Sequence, residues 1–253
     1  MKKIYFSILL IFLVSNIFAQ KQKVKYLTTF DDKLLHFGFT LGANGLDFGV
    51  LNYNPIGENP DFVEYVNKPN RELITEGDFI RSDLTEIIPG FTVGIITSLR
   101  LTKDLNLRFL PGMSFGERRL AFNVPIYDIN QYEALPYYSI KSTFLDFPLL
   151  IKYKARRINN GRPYIVFGPA FRQDISRTAQ EDLVKLKNGS FYAEIGGGWD
   201  NYFPFFRFSV EAKFSFGINN VLGDIPASTQ RPYYAQSIKY LRSNIFTLSF
   251  HFE

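Results

Sequence analysis

The sequence predicts an all-β fold: an eight-stranded antiparallel transmembrane β-barrel with short periplasmic turns and long extracellular loops. Apolar residues alternate with polar or small ones along eight segments, long and short connections alternate between them, and aromatic residues make up 17% of the chain. Because successive side chains of a strand point to opposite faces, each segment presents one apolar face to lipid and one polar face to the interior. Aromatic residues also favour strands and the interfacial girdles of such barrels.

The N-terminus has the features of a secretory signal peptide. Lys2 and Lys3 precede an apolar run that ends at Val14, and Ala19 stands at a cleavage-like position. An uncleaved helical anchor is the alternative, but the run is short for a membrane span. We therefore expect a signal peptide over 1–19, a periplasmic N-terminal segment over 20–33 and the barrel over 34–253.

The first four segments set apolar residues, expected to face lipid, against polar or small residues expected to face the lumen. The third segment, 105–115, is the strongest. At about 3.3 Å per residue and a tilt of about 45°, it covers roughly 25 Å, the height of the apolar band of a barrel. The expected lipid-facing residues are Leu35, Phe37, Phe39, Leu41, Phe91, Val93, Ile95, Leu99, Leu105, Leu107, Phe109, Pro111, Met113, Phe115, Leu145, Phe147, Leu149, Ile151 and Tyr153.

The last four segments show the same alternation. Their expected lipid-facing residues are Ile165, Phe167, Phe171, Phe191, Ala193, Ile195, Trp199, Phe206, Phe208, Val210, Ala212, Phe214, Phe216, Phe246, Leu248, Phe250 and Phe252. Pro111, Pro148 and Pro169 lie inside predicted strands, where a missing N–H group disrupts pairing, and we interpret them as bulges or kinks.

The connections predict the orientation of the barrel. Long loops are expected over 44–86, 120–139, 174–188 and 218–239, a medium turn over 156–162, and short turns over 102–104 and around Pro204. Bacterial barrels place short turns in the periplasm and long loops outside the cell. An even number of strands then places both termini in the periplasm.

Charged residues of both signs fall on the expected lumen face. Eight strands enclose a space that side chains just fill, and buried charges must be paired. We therefore predict a solid plug of ion pairs; a proton or ion path is the alternative, which lacks a wide bore. The expected lumen charges are Arg100, Arg108, Asp146, Lys152, Glu194, Asp200, Arg207, Glu211 and Lys213.

The sequence contains no enzyme motif, and we expect neither catalysis nor a cofactor. His36 and His251 are the only histidines and lie on strands that barrel closure makes neighbours. Two imidazoles without a third ligand or a nucleophile form a poor metal or catalytic site, so packing at the closing seam is the favoured interpretation. Cysteine is absent, which excludes disulfides and thiolate metal sites.

The first long loop is acidic, with nine acidic residues against three basic ones. Calcium requires converging oxygen ligands, and the acids lack an Asp-x-Asp-x-Asp-Gly spacing. A solvated loop is therefore favoured over an ion site.

Two basic clusters are the candidate partner-binding sites. Three arginines crowd the medium turn and three lysines mark the mature N-terminus, where they would meet anionic lipid or an acidic periplasmic partner; solvated flanks are the alternative. A formal net charge of +5 is too small and scattered to suggest nucleic acid. No small-molecule substrate is expected. The candidate residues are Arg156, Arg157, Arg162, Lys21, Lys23 and Lys25.

Three stretches resemble the PorT family, called SprT in gliding bacteria. They are Phe30-Asp31-Asp32-Lys33 with Leu35-His36-Phe37-Gly38-Phe39, the stretch Leu107-Arg108-Phe109-Leu110-Pro111-Gly112-Met113-Ser114-Phe115-Gly116, and Phe147-Pro148-Leu149-Leu150-Ile151-Lys152-Tyr153-Lys154. The resemblance implies an outer-membrane β-barrel of the type IX secretion system, which exports large proteins including proteases and gliding adhesins. It implies no catalytic residues.

We accordingly expect a non-enzymatic outer-membrane protein that supports type IX secretion as an accessory or assembly component. Its expected partners are outer-membrane lipid and other components of the secretion system. A barrel of eight strands is too narrow to conduct folded cargo. A structural or adhesive barrel and, less favoured, an enzyme that modifies outer-membrane lipid are the alternatives.

Overall fold

The computed structural model describes residues 24–67, 72–127, 134–176, 183–225 and 231–253. The expected signal peptide over 1–19, together with Lys21 and Lys23, lies outside these residues. Within them, none of the helices has both the length and the apolar character needed to span a bilayer.

Strands dominate the described residues. Two 3₁₀ turns, Phe30–Asp32 and Ile56–Glu58, and one short helix, α1 (Tyr233–Gln236), accompany them. The strands are β1 (Leu35–Asn52), β2 (Tyr65–Asn67), β3 (Glu72–Ile74), β4 (Ser82–Ile87), β5 (Pro89–Arg100), β6 (Leu105–Phe109), β7 (Gly112–Phe122), β8 (Ile126–Tyr127), β9 (Ala134–Leu135), β10 (Tyr138–Lys154), β11 (Gly161–Asp174), β12 (Gly189–Tyr202), β13 (Arg207–Gly217) and β14 (Ile238–Phe252).

Ten of these strands form one antiparallel sheet that closes on itself through β1, which pairs with both β14 and β5. β4 and β5 pair with β7 one after the other and together occupy one strand position of the barrel wall. Each such position is called a stave here. β6 and β7 likewise pair in turn with β10. Two staves each built from two strands reduce ten strands to eight positions. The predicted eight-stranded antiparallel barrel is confirmed.

The predicted phase of the strands is also confirmed. Phe37 and Ile95 are 63% and 59% exposed on the outer face, whereas Ser98 and Arg108 on the inner face are fully buried. Pro111 interrupts the third predicted segment and divides it into β6 and β7, as expected for a residue without an N–H donor. The outward positions remain the odd-numbered ones on both sides of this break.

The predicted loop over 44–86 is wrong at both ends, because β1 continues to Asn52 and β4 begins at Ser82. At the usual rise and tilt, the eighteen residues of β1 reach about 40 Å, well beyond an apolar band of about 25 Å. The wall therefore projects beyond the lipid at the end that carries the long loops. β10 and β14 also start earlier than expected, at Tyr138 and Ile238.

The hydrophobic pattern inverts where the wall leaves the lipid. The inner face of β1 carries His36, Thr40 and Asn44 within its first ten residues but Leu46 and Phe48 beyond them, all of them buried. An outer face in water no longer requires apolar residues, whereas the interior under the loops now does. A search for outward apolar alternation therefore ends the strand too early.

The long loops cover this projecting part of the barrel with an apolar core. Tyr233 and Tyr234 of α1 are buried in this core, and hairpins β2–β3 and β8–β9 belong to the same loops. The buried residues of this cap are Phe48, Ile56, Ile74, Ile80, Leu120, Ile126, Leu183, Val184, Val221, Tyr233, Tyr234, Ile238 and Leu241. The long-loop end is thus a packed structure.

Candidate functional site

Charged side chains, together with a smaller apolar cluster, fill the part of the lumen that lies within the lipid band. The members of the apolar cluster are Ile96, Leu110, Leu150, Tyr164 and Val166. Strand alternation places the charged side chains there, because the lipid-facing positions between them are apolar. The fully or almost fully buried charged residues are Arg108, Asp146, Lys152, Arg172, Glu194, Asp200, Arg207, Glu211 and Lys213.

The buried charges form two layers along the barrel axis. Glu211 is the central acceptor of the layer closer to the short turns. It accepts hydrogen bonds from Arg108 Nη1 at 2.9 Å and from the Tyr164 hydroxyl at 2.9 Å, and His251 Nε2 lies 3.4 Å away. In the same layer the Lys152 ammonium donates to both carboxylate oxygens of Asp200, at 2.7 and 2.8 Å.

Glu194 organises the next layer. Its carboxylate lies 2.7 Å from Lys213 Nζ and accepts hydrogen bonds from Arg172 and from the Ser215 hydroxyl at 2.7 Å. Arg172 Nε also donates to Asp146 at 2.9 Å, so one guanidinium links two carboxylates. The predicted solid plug of paired charges is confirmed.

The plug leaves little empty space. A void lined by Thr40, Asp146, Lys213 and His251, among others, measures about 30 Å³, which is room for one or two water molecules. Such a lumen does not pass a folded or extended protein.

Arg118 lies above the plug, near the apolar cap, and sequence reasoning missed it. Its guanidinium donates to the hydroxyls of Ser243 at 3.0 Å and Ser142 at 2.8 Å, and it lies 4.1 Å from the ring centroid of Phe48. The sequence did contain a signal, because Arg118 continues the inward positions of β7.

The two histidines of the predicted seam both lie toward the short turns but have different partners. His251 faces Glu211, whereas His36 donates from Nε2 to the carbonyl oxygen of Phe30 at 2.7 Å and its ring lies 4.4 Å from the Phe30 ring. Across the described ranges, no group of three or more histidine or carboxylate side chains has a geometry that could hold a metal.

Residues 24–34 cross the end of the barrel formed by the short turns 101–104, 155–160 and 203–206, and are called the strap here. The Asn160 side chain accepts a hydrogen bond from the Tyr26 amide at 3.0 Å and donates to the Val24 carbonyl at 2.8 Å. Arg157 donates to the carbonyl of Tyr26. At its other end, the strap accepts a hydrogen bond from the Arg100 amide on the Leu34 carbonyl at 2.8 Å.

Asp31 fixes the centre of the strap over the lumen. Its carboxylate accepts hydrogen bonds from the Tyr202 hydroxyl at 2.6 Å, from Arg162 at 3.0 Å and from Lys154 at 3.3 Å. Arg207 Nη1 also lies 3.3 Å from it. Lys154, Arg162, Tyr202 and Arg207 are called the mouth site here.

Two carboxylates at this mouth, those of Asp31 and Glu253, stay ionised. Burial by itself would raise the pKa of Asp31, but the opposing influence of Lys154, the Tyr202 hydrogen bond, Arg207 and Arg162 lowers that pKa well below its usual range. For Glu253, burial is likewise outweighed by Arg207 and Arg108, which lower the pKa of its carboxyl far below the usual value. Each acid thus compensates cations that the strands place in the interior.

The aromatic ring of the strap completes the closure. The Arg207 guanidinium carbon lies 4.8 Å from the Phe30 ring centroid, and Tyr202 meets that ring edge-on at 6.4 Å. Phe30 therefore lies between a cation and two rings, His36 and Tyr202, directly next to the carboxylate of Asp31.

The structure places the candidate partner-binding residues in different environments. Arg156 and Lys25 are exposed, Arg157 is partly buried against Tyr202, and Arg162 is almost wholly buried. Arg157 and Arg162 contact the strap. Partner binding by the arginines and by Lys21, Lys23 and Lys25 stays a prediction.

Arg100 was expected in the lumen and instead lies at the rim. Its Nη1 donates to the Asp32 carbonyl at 2.8 Å and lies 3.6 Å from the Asp32 carboxylate. It follows the inward phase of β5 but stands at the last residue of that strand, where the interior opens to solvent.

Solved outer-membrane barrels are similar in fold. Neisserial surface protein A is 10% identical, with 87% of this chain and 98% of that chain covered and a TM-score of 0.42. OprG of Pseudomonas aeruginosa is 10% identical, with coverage of 86% and 92% and a TM-score of 0.45. Ail, the attachment invasion locus protein of Yersinia pestis, is 10% identical, with coverage of 85% and 96% and a TM-score of 0.33.

No curated protein matches the sequence. The model of one protein family, described as outer membrane protein beta-barrel domain, matches residues 18–223. This range includes the strap and every stave of the wall up to β13. Since the match spans more than half of the sequence, the chain belongs to the outer membrane protein beta-barrel domain family.

Proposed function

We propose that this outer-membrane barrel supports type IX secretion as a non-enzymatic accessory or assembly component that acts by binding other components. The observation that carries the proposal is the filled lumen, in which Arg108, Lys152 and Arg172 are paired with carboxylates and a void among the described residues measures about 30 Å³. A barrel without a conduit serves secretion through its surfaces. The resemblance to the PorT family supports the choice of secretion system.

The proposed orientation places the strap and the short turns in the periplasm. Bacterial barrels have short periplasmic turns, and the strap joins the barrel at that end. An epitope tag after Asn67, in the first long loop, is expected to be labelled on intact cells, and one at Lys103 only after the outer membrane is opened. Asn160 is unsuitable for a tag because its side chain holds the strap. Labelling of Lys103 alone on intact cells would invert the orientation.

Deletion of the gene tests the proposed function. We expect the amount of type IX cargo in the culture medium to fall strongly, while general export to the periplasm continues. Wild-type chain supplied in trans should restore the cargo. A variant truncated within β14 is the matched control, because it cannot close the seam with β1. Undiminished cargo after deletion would refute a role in secretion.

A structural or adhesive barrel is the second candidate. An open cleft of about 590 Å³ at the long-loop end favours it, because its lining joins charges of both signs to an aromatic ring: Asp61, Lys187, Asp224, Lys239 and Tyr53. Normal secretion with altered surface binding or envelope integrity would identify this function. An enzyme acting on outer-leaflet lipid has less support, since His36 and His251 lie toward the short turns, away from that leaflet.

A further inference from the structure

The strap is attached to the barrel in the way a bound peptide ligand is, and not in the way a strand of the wall is. Val24 and Leu34 at its two ends are 73% and 68% exposed, and no residue of the turn Phe30–Asp32 is buried. Its attachments are polar contacts and one aromatic ring, and water competes for partly exposed polar contacts. A segment held in this way exchanges more readily than a strand of the sheet.

Without the Asp31 carboxylate of the strap, the mouth site keeps an excess of positive charge. Arg162 keeps Asp104 at 2.8 Å, and Arg207 keeps Glu253 at 2.6 Å. For Lys154, Asp31 is the carboxylate within ion-pair distance among the described residues. Removal of Asp31 therefore leaves a buried ammonium uncompensated, which favours replacement by another carboxylate.

Recognition of the strap combines a specific part with a general part. The specific part is an aromatic residue followed by aspartate, since the ring lies against His36 and Arg207 and the carboxylate meets the cations. The general part is the irregular stretch before it, where Asn160 and Arg157 hydrogen-bond to backbone atoms of Val24 and Tyr26. Backbone contacts accept many sequences.

We propose that the mouth site is a receptor for a partner segment in which an aromatic residue precedes aspartate after a short irregular stretch, and that the strap occupies this receptor when the partner is absent. The inference rests on the proposed function in assigning a periplasmic partner to the barrel. Displacement of the strap exposes the mouth site and binds the partner through the same contacts. The partner is thus a protein with an exposed acidic and aromatic segment.

Peptide exchange tests the receptor. The probe is a fluorescent peptide with the sequence of residues 24–34, added to the full chain in lipid nanodiscs. The tethered strap competes at an effective concentration of about 1 mM, so micromolar peptide should bind the wild type weakly. A chain with Phe30→Ala and Asp31→Asn should bind it at least about tenfold more tightly, because its own strap no longer competes. Equal binding to both chains would overturn the proposal.

Four controls define the specificity. A peptide with asparagine in place of the aspartate equivalent to Asp31 should bind the released chain about tenfold more weakly, which corresponds to the loss of one strong charged contact. Arg162→Gln should weaken the peptide similarly, whereas Lys239→Gln, at the long-loop end, should not. If an oligoglutamate of equal length binds as tightly as the strap peptide, the mouth attracts any acid and the proposed recognition is wrong.

A second measurement does not depend on the folding of the released variant. The chain has no cysteine, so Val24→Cys gives a unique position for a spin label on an otherwise intact strap. Millimolar strap peptide should raise the mobility of the label, and the asparagine peptide should not; an unchanged label with both peptides contradicts exchange. If the peptide exchanges with the strap but deletion of the gene leaves secretion undiminished, the proposed function is refuted and the receptor stands. If deletion abolishes secretion but the peptide does not exchange, the receptor is refuted and the proposed function stands.

Discussion

Replacement of Glu194 by glutamine is expected to lower the free energy of unfolding by about 3–5 kcal/mol, the usual effect of removing one partner from a buried ion pair. The carboxylate faces both Lys213 and Arg172, and its side chain is fully buried. Glutamine preserves the shape but leaves two cations without their shared anion. The remaining carboxylate of Asp146 is already bound to Arg172 and Ser114 and cannot serve Lys213 as well.

Urea titration in lipid vesicles measures this effect, with the fluorescence of Trp199, the single tryptophan, as the signal. Glu86→Gln is the matched control. Glu86 pairs with Arg119 at 2.7 Å but is 62% exposed, and exposed pairs contribute about 0–1 kcal/mol. If both variants unfold at the same urea concentration, the buried plug does not stabilise the barrel in the way the contacts indicate.

Phe109→Arg is expected to destabilise the inserted barrel by about 2–4 kcal/mol, the effect of an arginine on the lipid face near the bilayer midplane. Phe109 faces outward between Thr97 and Leu149 on the neighbouring staves. It stands about 9 Å above Leu105, the first residue of β6, and thus close to half the height of an apolar band of about 25 Å.

Phe205→Arg is the control for the lipid face, because it makes the same chemical change outside the apolar band. Phe205 is 93% exposed in the turn between β12 and β13, and arginine near an interface costs about 0–1 kcal/mol. The same urea titration compares the two variants. Equal stability of both would place Phe109 away from the lipid and show that the assigned strand phase is wrong.

The sequence predicted the barrel wall and the charged residues of the lumen because both follow from the alternation of side chains along a strand. Outward residues such as Phe109 and Ile195 meet lipid and must be apolar, so their neighbours Arg108 and Glu194 face the lumen by alternation. The pairing of charges followed from the narrow bore and from the cost of a buried unpaired charge. Neither inference required knowledge of which cation meets which carboxylate.

The projecting wall escaped prediction because its pattern depends on what surrounds it. Leu241 faces inward and is buried in the cap by loop residues that are distant in sequence, and Leu46 packs with Phe144 and Tyr192 of other strands. No local periodicity reports either contact. Arg118 was missed because its strand was assigned only as far as Phe115, although the inward phase of β7 continues to it. The burial of a position above the lipid is decided by the packed cap and by the strands that face it across the interior.

The sequence by itself determined the class of the protein, the eight staves, the outward and inward faces and the charged lumen. Each of these depends on the period of two along a strand and on a lipid that accepts only apolar side chains. Only the tertiary structure decided that Asp31 closes the lumen, because Lys154, Arg162 and Arg207 come from the ends of three different strands. Their convergence on one carboxylate results from closure of the ring, and no spacing along the chain encodes it.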